Sequence, residues 1–186
     1  MQDVPLCGFA AFSGTGKTTL LRALLPRLRE RGLRIAVVKH AHHDFDTDIP
    51  GKDSYELRKA GAAQMLVASR RRWALITEMD GKQEPALDDL LTRLDVDAVD
   101  LILVEGFKTA PIPKIELHRP ALGRPLLCLT DPSIIAVATD SELQQAIDVP
   151  QLPLNQPEEI AAFLLDYLEL APTISAPPKH VTQTAS

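Results

Sequence analysis

The chain has 186 residues, of which 45% are hydrophobic and 24% charged, ordinary values for a soluble globular protein with a substantial core. Its net charge of −5 and pI near 5.5 exclude a generally basic surface for nucleic acid or anionic membrane, while leaving room for a local basic patch.

Taken in order, Val4 to Ala10 is an apolar run that reads as a buried strand. Ala11-Phe12-Ser13-Gly14-Thr15-Gly16-Lys17-Thr18-Thr19 follows. Leu20, Leu21, Leu24, Leu25 and Leu28 then recur at helical spacing. Strand, glycine-containing loop and helix, with Gly-Lys-Thr at the helix start, is the layout of a phosphate-binding (Walker A) loop. Backbone N–H groups of the loop and first helical turn converge on phosphate oxygens, and the helix dipole adds partial positive charge. In this reading Ser13, Gly14, Thr15, Gly16, Lys17, Thr18 and Thr19 form the nucleotide cradle. Lys17 supplies charge for the β- and γ-phosphates, and the Thr18 hydroxyl ligates Mg²⁺. The first glycine of the usual pattern is Ala11 here, a departure that matters only if that residue needs φ > 0.

The helix is expected to run from Gly16 to about Arg31, kinked at Pro26 and closed by Gly32. Ile35 to Lys39 is a second strand, expected to pair in parallel with the first. The loop His40-Ala41-His42-His43-Asp44-Phe45-Asp46-Thr47-Asp48 carries much ionisable chemistry at a strand end, where ligands bind in open α/β sheets. One reading makes it a nucleotide-sensing loop, with Asp44 the preferred catalytic carboxylate beside Lys17. Another makes His40, His42 and His43 a Zn²⁺ or Ni²⁺ site. Asp53 and Glu56 suggest a capping box, with the short helix ending at Gly61.

Gln64 to Ala68 and Trp73 to Glu78 read as a hairpin, with Arg70, Arg71 and Arg72 a solvated turn or an anion contact. A helix carries Leu87, Leu90, Leu91 and Leu94. Leu101 to Glu105 is a continuous apolar strand ending in a carboxylate, as expected of a central parallel strand; Glu105 there can hold Mg²⁺. Lys114 to His118, Pro125 to Leu129 and Ile134 to Ala138 are further strand candidates. Asn155 with Glu158 announces the last helix, bearing Ile160, Phe163, Leu164, Tyr167 and Leu168.

The expected architecture is α/β, a phosphate-loop NTPase-like three-layer fold with a mainly parallel sheet flanked by helices and a β-hairpin insertion. Residues 1–170 form one nucleotide-binding domain, and 171–186, rich in Pro, Thr, Ser and Ala, a disordered tail. Cys7 and Cys128 read as small buried hydrophobes suited to a reducing compartment. The absence of an apolar stretch of membrane-spanning length and of a basic N-terminal region places the protein in the cytoplasm.

The only asparagine is Asn155, so the Asn-Lys-x-Asp element by which many GTPases read guanine is missing. If guanine is read, Asp140, and after it Asp131, are the carboxylates available at the ends of late apolar runs.

Four blocks in this order, Ser13 to Leu21, Val38 to Asp44, Pro50 to Ala62 and Leu103 to Lys108, resemble the molybdopterin-guanine dinucleotide biosynthesis adapter family. The resemblance extends to about Ala138. It implies a dimeric GTP-binding protein with weak GTP hydrolysis. Its cofactors would be GTP and Mg²⁺, and its partner the molybdenum cofactor guanylyltransferase that joins GMP to molybdopterin, with molybdopterin itself a further ligand. A metallochaperone GTPase using the histidine loop and a small-molecule kinase are the alternative readings.

Overall fold

The computed structural model describes residues 4–41 and 45–170. In chain order the elements are β1 (Leu6–Ala10), α1 (Lys17–Glu30), β2 (Ile35–Lys39), α2 (Asp53–Lys59), β3 (Gln64–Ala68), β4 (Trp73–Thr77), α3 (Leu87–Leu91), β5 (Leu101–Glu105), β6 (Lys114–His118), β7 (Ile134–Thr139), β8 (Gln151–Pro153) and α4 (Pro157–Tyr167). They divide into two compact units: the described residues of 1–40 with 87–170, and those of 41–86. The tail expected after residue 170 lies outside the described residues, as do His42, His43 and Asp44.

The larger unit is built on a six-stranded sheet in the order β2-β5-β1-β6-β7-β8, all parallel. Strand alternation sends Cys7, Phe9, Leu101, Leu103, Ile115, Leu117, Ala136 and Ala138 into one core with Leu20, Leu21, Leu24 and Leu28 of α1 and Ile160 and Leu164 of α4. The opposite face carries Val38, Ile102 and Val104, covered by Leu87 of α3 with Leu90, Leu91 and Leu94. This is the expected mainly parallel three-layer α/β fold of the phosphate-loop NTPase type. β1 and β2 are parallel as expected, but β5 lies between them and bonds to both.

Helix α1 continues through Pro26. At its end the Gly32 N–H reaches the Arg29 carbonyl and the Leu33 N–H reaches that of Leu28, the crossed bonds of a Schellman close.

Several local expectations are corrected. Pro125 to Leu129 is irregular chain leading into a turn and not a strand: its Leu127 and Cys128 N–H groups both donate to the buried Glu116 carboxylate at 2.8 Å. The N-cap of α2 is Lys52 and not Asp53, with no side-chain capping bond; Ser54 Oγ donates instead to Asp48 Oδ1 at 3.2 Å. Helix α4 is capped at Gln156, with Pro157 in its first turn, and not by an Asn155–Glu158 pair. The short strand β8 is additional. Cys7 is buried and Cys128 half-buried, and neither forms a disulfide.

In the smaller unit β3 and β4 form the expected antiparallel hairpin, with Leu66 opposite Leu75 and Ala68 opposite Trp73. Arg58 of α2 is its buried charge. The guanidinium donates to Asp48 at 2.9 Å and to Glu78 and Asp46, so one side chain ties helix, loop and hairpin end together. Hydrogen bonds from Arg58 to Asp48, then Glu78 and Asp46, hold its charge well above the usual arginine range.

Candidate nucleotide-binding site

Parallel register brings the C-terminal ends of the strands to one edge of the larger unit. Phe9 of β1 and Lys39 of β2 both stand opposite Glu105 of β5, and His118 of β6 stands opposite Thr139 of β7. Residues 11–16 connect β1 to α1 at this edge, and Asp140 follows β7 there. Edges of this kind are where α/β proteins bind ligands.

The loop has the geometry its chemistry needs. Gly14 has φ of 82° and Gly16 φ of 101°, left-handed conformations that suit glycine and not residues with Cβ. Gly16 is the N-cap of α1, so the N–H groups of Lys17, Thr18 and Thr19 fall in the first turn, where no intrahelical acceptor exists. Among the described residues only Glu169 has positive φ without being glycine. Ala11 therefore adopts an ordinary backbone conformation and buries its methyl group fully in the core, which removes the objection to alanine at that position. The Thr15 side chain is turned inward and donates to the Phe12 carbonyl at 2.8 Å, leaving its backbone to the loop. Ser13, Thr18 and Thr19 are exposed.

Lys17 Nζ donates to the Ala11 carbonyl at 3.2 Å, so its side chain folds back across the loop. Burial lowers its proton affinity below the usual lysine range; Glu105 works in the opposite sense, and Lys108 and Lys39 lower it further. An arriving phosphate would favour the ammonium form. Lys108 Nζ and the Arg124 guanidinium lie 5.6 and 5.7 Å from the centre of the Phe12 ring. Cations thus gather around the loop of an acidic chain, a local patch suited to an anionic ligand.

Glu105 is buried, with Lys39 Nζ 3.4 Å from Oε2. Its carboxylate and the Thr18 hydroxyl are hard oxygen donors, a set that fits Mg²⁺ completed by phosphate and water. The next residue, Gly106, has φ of 101°, and a Cβ on it would come within 2.9 Å of the His40 carbonyl oxygen and Cβ. The turn after Glu105 therefore requires glycine, with the His40 N–H bonded to the Glu105 carbonyl at 2.8 Å. Among the described residues no group of three His, Cys, Asp or Glu side chains could hold a metal by itself.

The two guanine-reading candidates differ. Asp131 is engaged by the fully buried Lys114, 2.7 Å from Nζ, and also accepts from Ser133. Its role is to neutralise that lysine, whose other bonds go to the carbonyls of Lys108 and Ala110. Asp140 stands at the sheet edge, paired with Arg119 at 2.5 Å. Arg119 also donates from Nε to the Thr15 carbonyl at 2.9 Å. Arg119 and Lys39 are not singled out by the sequence pattern; the available signal was a cation at or just after the C-terminal end of a strand. Burial pushes the Cys7 thiol up to about 12 and, with Glu116 nearby, that of Cys128 to about 11, the opposite of the lowered pKa that activates a thiol. Arg70 to Arg72 occupy the exposed hairpin turn, where the Arg71 and Arg72 N–H groups donate to Ser69 Oγ.

The family model described as molybdopterin guanine dinucleotide synthesis protein B matches residues 6–140. The chain belongs to that family. The Escherichia coli K12 molybdopterin-guanine dinucleotide biosynthesis adapter protein is 52% identical over 167 residues, covering 89% of this chain and 94% of its own length. Its Haemophilus influenzae counterpart is 43% identical, covering 90% and 91%. A crystal structure of molybdopterin-guanine biosynthesis protein B superposes with a TM-score of 0.68 at 29% identity, over 88% of this chain and 99% of that one. The Bacillus subtilis MobB structure, at 22% identity and a TM-score of 0.67, shares the fold over 88% of this chain and 97% of its own. The family match thus spans the phosphate loop, Glu105, Arg119 and Asp140. No helix among the described residues is long and apolar enough to cross a membrane.

Proposed function

We propose that this protein is a cytoplasmic GTP-binding adapter of molybdenum cofactor biosynthesis, assisting the guanylyltransferase that attaches GMP to molybdopterin. The observation that carries the nucleotide reading is the shared sheet edge: a phosphate loop, Glu105 on the adjacent strand and Asp140 two strands away on the other side of β1. Phosphates would lie in the cradle of residues 13–19, with the Gly16 N–H and the first-turn N–H groups as donors and Lys17 neutralising charge. Thr18 and Glu105 would hold Mg²⁺, which would supply neutralisation of phosphate charge when bound. Asp44 remains the proposed residue for orienting an attacking water in weak hydrolysis. The relatives' names, adapter proteins of molybdopterin-guanine dinucleotide biosynthesis, support the pathway, the guanylyltransferase as partner and molybdopterin as a further ligand.

Base choice follows from hydrogen-bond complementarity. Guanine presents N1–H and N2–H side by side, and the Asp140 carboxylate can accept both; adenine presents an acceptor at N1. A charged contact of this type contributes about 1–3 kcal/mol. The reading of the chain as a homodimer is supported by the hairpin, one face of which exposes Leu66, Trp73 and Leu75, an apolar strip of the kind partners cover.

Competition of GTP against ATP, with and without the guanylyltransferase, tests this function. The expected result is preferential GTP binding and faster formation of the guanine dinucleotide cofactor. Equal affinity for both nucleotides, or no effect on the transferase, would refute it.

A further inference from the structure

One side chain joins the proposed base-reading carboxylate to the phosphate loop. Arg119 follows β6 directly. Its Nε donates to the Thr15 carbonyl at 2.9 Å, and its Nη1 donates to Asp140 Oδ2 at 2.5 Å. Its Nη2 lies 3.7 Å from the place a Cβ on Gly16 would occupy. The guanidinium therefore bridges the end of β7 and the turn that enters α1.

Two consequences follow from covalent geometry. In a planar trans peptide the carbonyl and the N–H point in opposite directions. Arg119, by holding the Thr15 carbonyl, directs the Gly16 N–H away from itself and fixes the orientation of a donor of the phosphate cradle. The guanidinium is also a rigid planar fork, so anchoring one arm on Thr15 sets the position of the other on Asp140. Among the described residues, Oδ1 of Asp140 has only the weak 3.4 Å contact from Ser141 Oγ. A carboxylate offers about four lone-pair positions, which leaves room for guanine's two donors while Arg119 keeps hold of Oδ2.

We propose that Arg119 is the specificity-positioning residue of the nucleotide site, fixing the Asp140 carboxylate for guanine and coupling it to the Thr15–Gly16 peptide of the phosphate loop. This rests on the reading of Asp140 as the acceptor of guanine's N1–H and N2–H. Arg119 acts through those groups and needs no contact of its own with the base. Removing it leaves Asp140 free to rotate and uncompensated at the end of the sheet that receives a triphosphate. The damage then falls most heavily on the ligand that needs Asp140 in one orientation.

The test is equilibrium binding of GTP, ITP and ATP with Mg²⁺ to the full chain, as wild type, Arg119→Ala and Arg119→Lys. Thermal midpoints and circular dichroism check that each variant folds. ITP lacks the 2-amino group, so the GTP-to-ITP affinity ratio reads the contact between N2–H and the carboxylate. The wild type should prefer GTP over ITP and over ATP. Arg119→Ala should reduce GTP affinity on the order of tenfold, lower ATP affinity less, and bring the GTP-to-ITP ratio toward one, the scale expected for losing one charged contact. Arg119→Lys keeps the charge but cannot form the fork, and should also lose much of that ratio. Equal loss of GTP and ATP in Arg119→Ala would make the residue a simple phosphate counter-charge and overturn the inference. So would retention of both ratios in Arg119→Ala, or their full restoration in Arg119→Lys. Equal wild-type affinity for all three nucleotides would instead overturn the guanine reading of Asp140, and this inference with it.

Discussion

The two units are held together by different means. In the larger one every residue of β5 and β6 is buried, and apolar side chains from α1 and α4 cover a parallel sheet. In the smaller one the hairpin leaves Leu66, Val67, Trp73 and Leu75 exposed, and the helix is joined to the loop and the hairpin end through Arg58. A nucleotide site needs loop positions that do not drift, which a close-packed sheet supplies. A hairpin with little core of its own stays dependent on ionic ties and on whatever covers its apolar face. A close-packed sheet thus lies beneath the phosphate loop, while the hairpin rests on the ionic ties of Arg58.

The sharpest way to break the first half of that contrast is Leu24→Ala. Leu24 is fully buried between α1 and the sheet, so the cavity should cost about 2–5 kcal/mol, measured as a fall in the urea midpoint. Arg58→Ala probes the second half. Three carboxylates would lose their shared partner, and hydrogen exchange of the β3–β4 amides should quicken several-fold while α1 amides stay protected, a local opening and not a global one. Uniform acceleration throughout the chain would erase the distinction between the units. On the proposed homodimer reading, Trp73→Ser combined with Leu75→Ser should lower self-association in sedimentation without moving the thermal midpoint; unchanged self-association would remove the hairpin face from that reading.

The smallest effect belongs to an exposed tie within the larger unit. Asp100 accepts from Arg34 Nε at 3.0 Å, Nη2 at 2.7 Å and the backbone N–H at 2.7 Å, and the side-chain bonds from Arg34 hold its carboxyl below the usual 3.8. A carboxylate whose proton affinity falls on folding contributes stability above its unfolded value and loses it as pH drops through its folded value. Asp100→Asn should therefore cost about 1 kcal/mol or less at pH 7, the scale of an exposed pair. The difference from wild type should shrink below pH 3.8, as seen by urea unfolding at several pH values.

How far the sequence carries depends on the range of the interaction. The phosphate loop, β5 and the hairpin were readable because each is a local pattern: glycine with Lys-Thr before a leucine-striped helix, an unbroken apolar run, two alternating runs around a short turn. The placement of β5 between β1 and β2 was not, because strand order is set by contacts distant in sequence. Pro125 to Leu129 reads as a strand on hydrophobicity alone; the deciding group is Glu116, a buried carboxylate that takes the Leu127 and Cys128 N–H groups. β8 was invisible for the opposite reason, being three residues that end at Pro153. The same limit applied to the site. Lys17, Glu105 and Asp140 could be picked by their position after strands, but the bond from Arg119 to Thr15 spans 104 residues, and only the fold brings that pair together. Asp131, the second candidate in sequence terms, is set apart from Asp140 by its pairing with the buried Lys114.

The central claim is that the loop of residues 11–19 binds GTP phosphates from a rigid frame. Titration calorimetry of GTP with Mg²⁺ into wild type and Lys17→Ala, with thermal unfolding of both, tests it most directly. Lys17 folds over the loop and not into the core, so no cavity forms on its removal. The account predicts GTP binding in the wild type, loss of it in Lys17→Ala, and a thermal midpoint that moves little. A variant that binds GTP as tightly as wild type, or that unfolds, would contradict it.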